Sequence, residues 1–287
     1  MVMHVSVVGC GYVGTTLAAC LAELGHTVTA VDIDDTVVER LQDGQAPVLE
    51  PGVQPLLDAH VGTRLHATTE TSAIGETSAS FVTVQTPARE DGRIDIGAVE
   101  SACRTIGSAV TDRAEYHLTV VKSTVIPGMA AERLDPALEE TSGQQLDGAV
   151  GLAINPEFQS QGTAVQDFMQ PDKLVFGTTE DQRALARLRE LYEPLLAKRE
   201  PAVIETGRRE AAMIKYANNV FLAAKISIIN ELGNIAKEYD VDSYEVAGAL
   251  GQDERIGAQF LRSGAGWGGS CFGKDTAALI RAAADRG

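Results

Sequence analysis

Lysine is scarce in this 287-residue chain. Only Lys122, Lys173, Lys198, Lys215, Lys225, Lys237 and Lys274 are present, against 40 Asp and Glu, and the formal net charge is −16. So little positive charge argues against a nucleic acid or an anionic membrane as partner. Long apolar runs are missing too: nothing approaches the roughly 20 consecutive residues of a membrane span. No basic, apolar leader is expected, because His4–Val8 already reads as a strand. Four cysteines (Cys10, Cys20, Cys103, Cys271) make no disulfide framework in a chain of this kind, and none stands at metal-ligand spacing. A cytoplasmic protein without a metal is expected. Abundant acid with little lysine suits a cytoplasm rich in salt, where screening tolerates the charge. Repeats and low-complexity segments are absent, and the length allows two domains, each with a core.

What is present begins at the N-terminus. An apolar strand runs into Gly9-Cys-Gly11-Tyr12-Val13-Gly14, an apolar helical run Thr15–Leu24 follows, and Thr27-Val-Thr-Ala-Val31 ends in Asp32, 18 positions after Gly14. Dinucleotide binding needs this spacing: Gly9 for the tight turn, Gly11 for approach of a pyrophosphate to the helix N-terminus, Gly14 for helix–strand packing. Asp32 would accept from the adenosine ribose hydroxyls and repel a 2′-phosphate, so NAD is expected over NADP. Strand, helix, strand and acid together make the motif specific.

Strand-like runs recur at Ser80–Val84, His117–Lys122, Ala149–Ile154, Leu174–Gly177 and Ala202–Glu205, with helical runs between them. This alternation predicts an α/β fold, a Rossmann-like doubly wound sheet covered on both faces, over residues 1–206. Ligands on such sheets sit at the carboxyl ends of strands. Three strands end in Gln85-Thr86-Pro87, Lys122-Ser123-Thr124 and Asn155-Pro156-Glu157, which suggests a cleft. Residues 207–287 read as an all-helical domain. Arg208–Tyr239 has no proline and one glycine, with Ile214, Phe221, Leu222, Ile226, Ile229, Leu232 and Ile235 at helical spacing. One helix of roughly 30 residues is predicted, well beyond the ~11-residue average. Its apolar residues wrap most of the circumference, so a second copy of the chain is the expected cover. Shorter helices are predicted at Ser243–Leu250, Ile256–Leu261 and Asp275–Ala284.

Near the C-terminus Cys271 stands among five glycines (Gly264, Gly266, Gly268, Gly269, Gly273) and is followed by Lys274-Asp275. Glycines there suggest backbone close to a bulky ligand, and a thiol beside a lysine favours thiolate chemistry. Lys215 and Asn219 stand four apart on one helix face. Asp275, four beyond Cys271, could face the thiol, cap the following helix, or both.

These blocks, with Glu50-Pro-Gly52, Ser123-Thr-Val125, Asn155-Pro-Glu-Phe158, Lys215-Tyr-Ala-Asn-Asn219, Asn230-Glu231, Arg255-Ile-Gly257 and Gly268-Gly-Ser-Cys-Phe-Gly-Lys-Asp275, resemble the UDP-glucose/GDP-mannose 6-dehydrogenase family over essentially the whole chain. The resemblance implies double oxidation of a nucleotide-sugar C6 alcohol to the uronate, with two NAD consumed through a cysteine-bound intermediate. Cys271 would add to the C6 aldehyde, and the thiohemiacetal would be oxidised to a thioester. Lys215 and Asn219 would stabilise the oxyanion. Asp275 would transfer protons through a water shared with Thr124, and Glu157 would assist attack on the thioester. The implied cofactor contacts are Gly9, Gly11, Tyr12, Val13, Gly14, Asp32, Gln85, Thr86, Pro87, Ser123, Gln161 and Lys274, the last also near substrate phosphates. The implied substrate contacts are Phe158, Phe260, Gly264, Gly268 and Arg255, which would reach the neighbouring subunit of a homodimer.

Two features depart from the family. Gln161 stands where relatives commonly carry Glu, and cannot act as a base. Family chains also usually continue through a second α/β domain that grips the nucleotide; NAD binding and dimerisation are expected here without it, and turnover is not. UDP-glucose is the expected substrate, from Pro156-Glu-Phe158 and Gly264-Ala-Gly-Trp-Gly-Gly269, with GDP-mannose next. A β-hydroxyacid dehydrogenase would use Lys and Asn on the long helix but needs no Cys271 block. A non-catalytic NAD-binding dimerisation fragment is the third reading.

Overall fold

The computed structural model describes residues 2–111, 113–146, 148–178 and 181–286. Its elements in chain order are β1 (His4–Val8), α1 (Tyr12–Glu23), β2 (Thr27–Val31), α2 (Asp35–Gln42), α3 (Val53–His60), β3 (Leu65–Thr68), β4 (Ala79–Val82), α4 (Gly97–Ala109), β5 (His117–Val121), α5 (Asp135–Ser142), β6 (Val150–Ile154), α6 (Ala164–Met169), β7 (Lys173–Gly177), α7 (Gln182–Arg199), β8 (Ala202–Thr206), α8 (Arg208–Glu238), α9 (Ser243–Leu250) and α10 (Gly269–Ala284). The chain forms two compact units, Met1–Pro87 with Asp95–Met213, and Ala88–Ile94 with Ile214–Gly287.

The first unit holds one eight-stranded sheet in the order β3-β2-β1-β4-β5-β6-β7-β8. From β3 to β6 every pairing is parallel; β7 runs antiparallel to β6, and β8 is parallel to β7. Successive residues of β4, β5 and β6 are all buried. Both faces of the sheet are therefore covered, the condition under which parallel strands read as unbroken apolar runs. Val5, Val7, Leu17, Leu21, Phe81 and Leu118 belong to its core. Strand order reverses between β1 and β4, so the crevice for a ligand opens beside Gly9–Gly14 and the residues after β4.

The expected strands are present within two residues at each end, the largest difference being β4, which ends at Val82 rather than Val84. β3 was not expected, because Leu65-His-Ala-Thr68 has too few apolar residues to signal a strand. It pairs with β2 through backbone bonds that any sequence can supply.

From Ile214 onward α8, a single helix of 31 residues, belongs to the second unit. Of the shorter helices, Ser243–Leu250 forms as expected. Ile256–Leu261 is a series of turns instead. There the Asp253 carboxylate accepts the Arg255 N–H at 3.0 Å, and Gly257 and Phe260 take φ +71° and +62°, which no α-helix accommodates. α10 starts at Gly269 with Gly268 at the N-cap, six residues ahead of the expected Asp275 start. Asp275 is thus inside the helix and caps nothing. The segment 88–94 joins this unit by a fork of bonds from Arg93 to Asp285 at 2.9–3.1 Å.

Candidate active site

In the first unit, the turn after β1 is shaped by backbone crowding. Gly9 has φ +95°, and a Cβ there would lie 2.7 Å from Val84. A Cβ on Gly14 would meet the Gly9 carbonyl oxygen at 1.8 Å, whereas one on Gly11 would point into open space. So Gly14 is required by packing and Gly11 leaves room for a ligand, the arrangement a pyrophosphate needs. α1 has no side-chain cap and no acidic residue in its first turn, which leaves its leading N–H groups suited to an anion. Asp32, just beyond β2, accepts from the Cys10 N–H at 2.5 Å and the Asp34 N–H at 3.0 Å, which fixes its carboxylate at the strand end. These residues fit a dinucleotide.

At the neighbouring strand ends, Thr86 is buried while Gln85 and Pro87 are exposed. The Ser123 hydroxyl donates to the Val84 carbonyl at 2.6 Å and so ties the end of β5 to that of β4. Lys122 donates to Asn155 Oδ1 at 3.0 Å and to the Tyr192 hydroxyl at 3.3 Å, fastening the end of β5 to that of β6. This buried bridge was not foreseen; a lysine within an apolar strand was its signal. Thr124 and Glu157 follow these strands, and Glu157 Oε2 accepts the Gln159 N–H at 2.7 Å. Phe158 lies beneath the Lys173 ammonium, 4.4 Å from the ring centre. Gln161 is exposed ahead of α6. A cavity of about 300 Å³ beyond Thr124 is lined by Val125, Ile126, Ala130, Ile154, Arg209 and Ala212, among others.

The second unit brings the other candidates together. Cys271 is exposed in the first turn of α10. Asp275 lies one turn further on the same face, 1% exposed. Its Oδ2 accepts from Asn219 Nδ2 at 2.7 Å and its Oδ1 from Lys274 Nζ at 2.7 Å. Lys215 precedes Asn219 by a turn of α8, and both are buried. Cysteine, carboxylate, amide and ammonium therefore share one region of two helices. Tyr216, which the motif contained without a role, is fully buried with its hydroxyl unbonded among the described residues. Burial, with Asp275 nearby, pushes its phenol up.

Around them, a Cβ on Gly264 or Gly268 would enter open space, so neither is a packing glycine. Gly264 N–H donates to Asn230 Oδ1 at 2.6 Å, and Trp267 Nε1–H to the Ser227 hydroxyl at 3.0 Å, pinning the glycine segment to α8. Arg255 is exposed and bonded to Asp253, and Phe260 is partly exposed. Among the described residues no group of three His, Cys, Asp or Glu is placed to hold a metal.

Residues 3–196 match the profile described as UDP-glucose/GDP-mannose dehydrogenase family, NAD binding domain, and residues 209–287 match its central domain. UDP-glucose 6-dehydrogenase AglM of Haloferax volcanii is 50% identical over 286 residues, covering 99% of this chain and 66% of that protein. GDP-mannose 6-dehydrogenase of Pseudomonas aeruginosa is 37% identical, covering 96% of this chain and 63% of that one. The structure of a UDP-glucose dehydrogenase from Pyrobaculum islandicum superposes with TM-score 0.93 at 39% identity, over 100% of this chain and 65% of that one. This chain spans about two thirds of the length of such relatives. With both domain profiles matched in order and a superposable structure, the chain belongs to the UDP-glucose/GDP-mannose dehydrogenase family.

Proposed function

We propose that this chain carries the NAD site and the cysteine centre of an NAD-dependent nucleotide-sugar 6-dehydrogenase that converts UDP-glucose to UDP-glucuronate. The observation that carries the reading is the cluster of exposed Cys271 with buried Asp275, Asn219 and Lys215. The 50% identity to a UDP-glucose 6-dehydrogenase, against 37% to a GDP-mannose enzyme, supports the sugar assignment. Functionally the division falls at 206/207, with cofactor binding before it and the cysteine centre and dimer helix after it.

NAD, when bound, accepts the hydride in both oxidations. The remaining work falls to side chains. The Cys271 thiolate adds to the C6 aldehyde, and its carbonyl oxygen becomes an alkoxide held by the Lys215 ammonium and the second Asn219 N–H. The first Asn219 N–H already goes to Asp275, which therefore aims the amide. Oxidation at C6 leaves a thioester, which water cleaves to carboxylate and thiol. Asp275, with Thr124, moves protons in these steps, and Glu157 assists the attacking water. Splitting the oxidation around a covalent bond keeps the aldehyde from escaping. The homodimer forms through α8, with Arg255 reaching the substrate of the partner subunit. The acidic composition and the Haloferax volcanii relative support a salt-rich cytoplasm as its setting.

The test is stoichiometry in a chain extended to the full length of the relatives. Two NADH per UDP-glucuronate are expected, and Cys271→Ser should retain NAD binding and lose nearly all turnover. One NADH per sugar would mean a simple alcohol dehydrogenase, and none a binding module. Preference for GDP-mannose would move the sugar assignment, and full turnover by Cys271→Ser would reject the covalent route.

A further inference from the structure

The Glu50-Pro51-Gly52 turn has no part in the chemistry above, yet it holds a buried carboxylate that, among the described residues, has no cation as a hydrogen-bond partner. Glu50 is 7% exposed. Its Oε1 accepts the Ala164 N–H at 2.8 Å, and its Oε2 accepts the Gly162 N–H at 2.8 Å and the Tyr12 phenol O–H. Burial works to raise its pKa, but these three donors prevail and hold the carboxyl below its usual range. Tyr12 is correspondingly pushed up to about 12, by burial and then by its bond to Glu50.

The partners matter more than the number of bonds. Tyr12 is the first residue of α1, directly after Gly11, where the backbone is open to a pyrophosphate. Gly162 follows Gln161, and Ala164 opens α6. Two segments 150 positions apart in the chain thus share one carboxylate that belongs to neither. The turn itself is pinned: Gly52 has φ +88°, and a Cβ there would lie 3.3 Å from Val165 of α6. Ionic bonds of this sort are strong because the acceptor is charged, and loss of the charge leaves buried donors unmatched.

We propose that Glu50 is a positioning residue of the cofactor site, joining Tyr12 to the 161–164 segment so that NAD affinity depends on a side chain that does not touch the cofactor. This rests on the reading of that site as the NAD site. Glu50 sets the distance between the α1 N-terminus and Gln161, and NAD binds to the pair as one preformed wall. Without the carboxylate each segment must be ordered at the expense of binding energy.

Titration calorimetry with NAD tests this in the present chain. Glu50→Gln should weaken NAD about tenfold, the loss of one charge-assisted contact. Tyr12→Phe, which leaves both backbone N–H bonds to the carboxylate and so the fold, should weaken it severalfold. The double variant should bind no more weakly than Glu50→Gln alone. Gln161→Ala reports a linkage that simple destabilisation would not produce: it should weaken NAD in the parent and hardly at all in Glu50→Gln. Parent-like affinity in both single variants would overturn the proposal. So would additive losses, or a Gln161→Ala effect of equal size, including none, in both backgrounds. If the parent itself binds no NAD, the reading of the site fails first and takes the proposal with it.

Discussion

His117 shows how one side chain can be held in a single protonation state by its surroundings. It opens β5 and is buried, with Nδ1 2.9 Å from the Thr77 carbonyl and Nε2 2.9 Å from the Ser80 hydroxyl. A carbonyl can only accept, so Nδ1 carries the proton, and the neutral ring accepts from Ser80, whose oxygen lies 2.6 Å from that of Ser6. Burial pushes the imidazole down to about 4, aided by Arg113 and Arg187 and opposed by the bond to Thr77. Between about pH 6.5 and 4 the unfolded chain therefore binds a proton that the fold refuses, and stability falls as pH falls through that window. The contribution is about 3 kcal/mol when complete. His117→Asn keeps a donor for Thr77 but does not titrate. Urea midpoints measured from pH 7 to 4 should fall less steeply in the variant than in the parent. Parallel profiles would show that His117 takes no part in the acid dependence.

At the scale of elements, α8 does two jobs on different faces. Lys215, Asn219, Ala223 and Ile229 are buried, while Phe221, Ile228 and Ile235 are exposed at 69, 61 and 52%. Those three stand seven apart, which aligns them along one stripe, with Leu232 beside them. An exposed apolar stripe of that length suits the association with a second copy proposed above. The parent chain is expected to be a homodimer at micromolar concentration in high salt, and Ile228→Glu, which places a charge in the centre of the stripe, to be monomeric with its helix content intact. Sedimentation velocity distinguishes them, and a monomeric parent would discard the dimer. α10 makes a different point. Glycines that favour a loop by composition instead open a helix, with Gly269 at φ +80°. That is how Cys271 and Asp275 come to share a helical face.

For the whole molecule, charge is the dominant variable. A net −16 over 287 residues must repel itself at low ionic strength, and the exposed pairs such as Arg104–Glu140 and Arg189–Glu205 return little. Screening lengths fall from about 10 Å at 0.1 M salt to about 3 Å at 1 M. The melting temperature should therefore rise from 0.1 M to 2 M KCl, and this should persist in a monomeric variant if self-repulsion is the cause. A melting temperature that falls or stays level across the series would rule out a fold adapted to salt.

Sequence alone determined the features carried by short spacing. Steric demands on Gly9 and Gly14, the acid ending β2, the apolar strands and the uninterrupted α8 are all local, because neighbours along the chain set backbone conformation and burial period. It also placed Cys271, Lys274 and Asp275 in one segment and Lys215 with Asn219 on one helix. Tertiary structure alone decided which distant groups meet. The Asn219–Asp275 bond spans 56 positions, the Gly162–Glu50 bond 112 and the Ser6–Ser80 contact 74. A buried polar group must find a partner wherever packing supplies one, and no periodicity in the chain encodes which. For the same reason β3 was invisible until β2 stood beside it, and a capping role for Asp275 stayed open beside its facing the thiol until α10 was seen to begin six residues earlier.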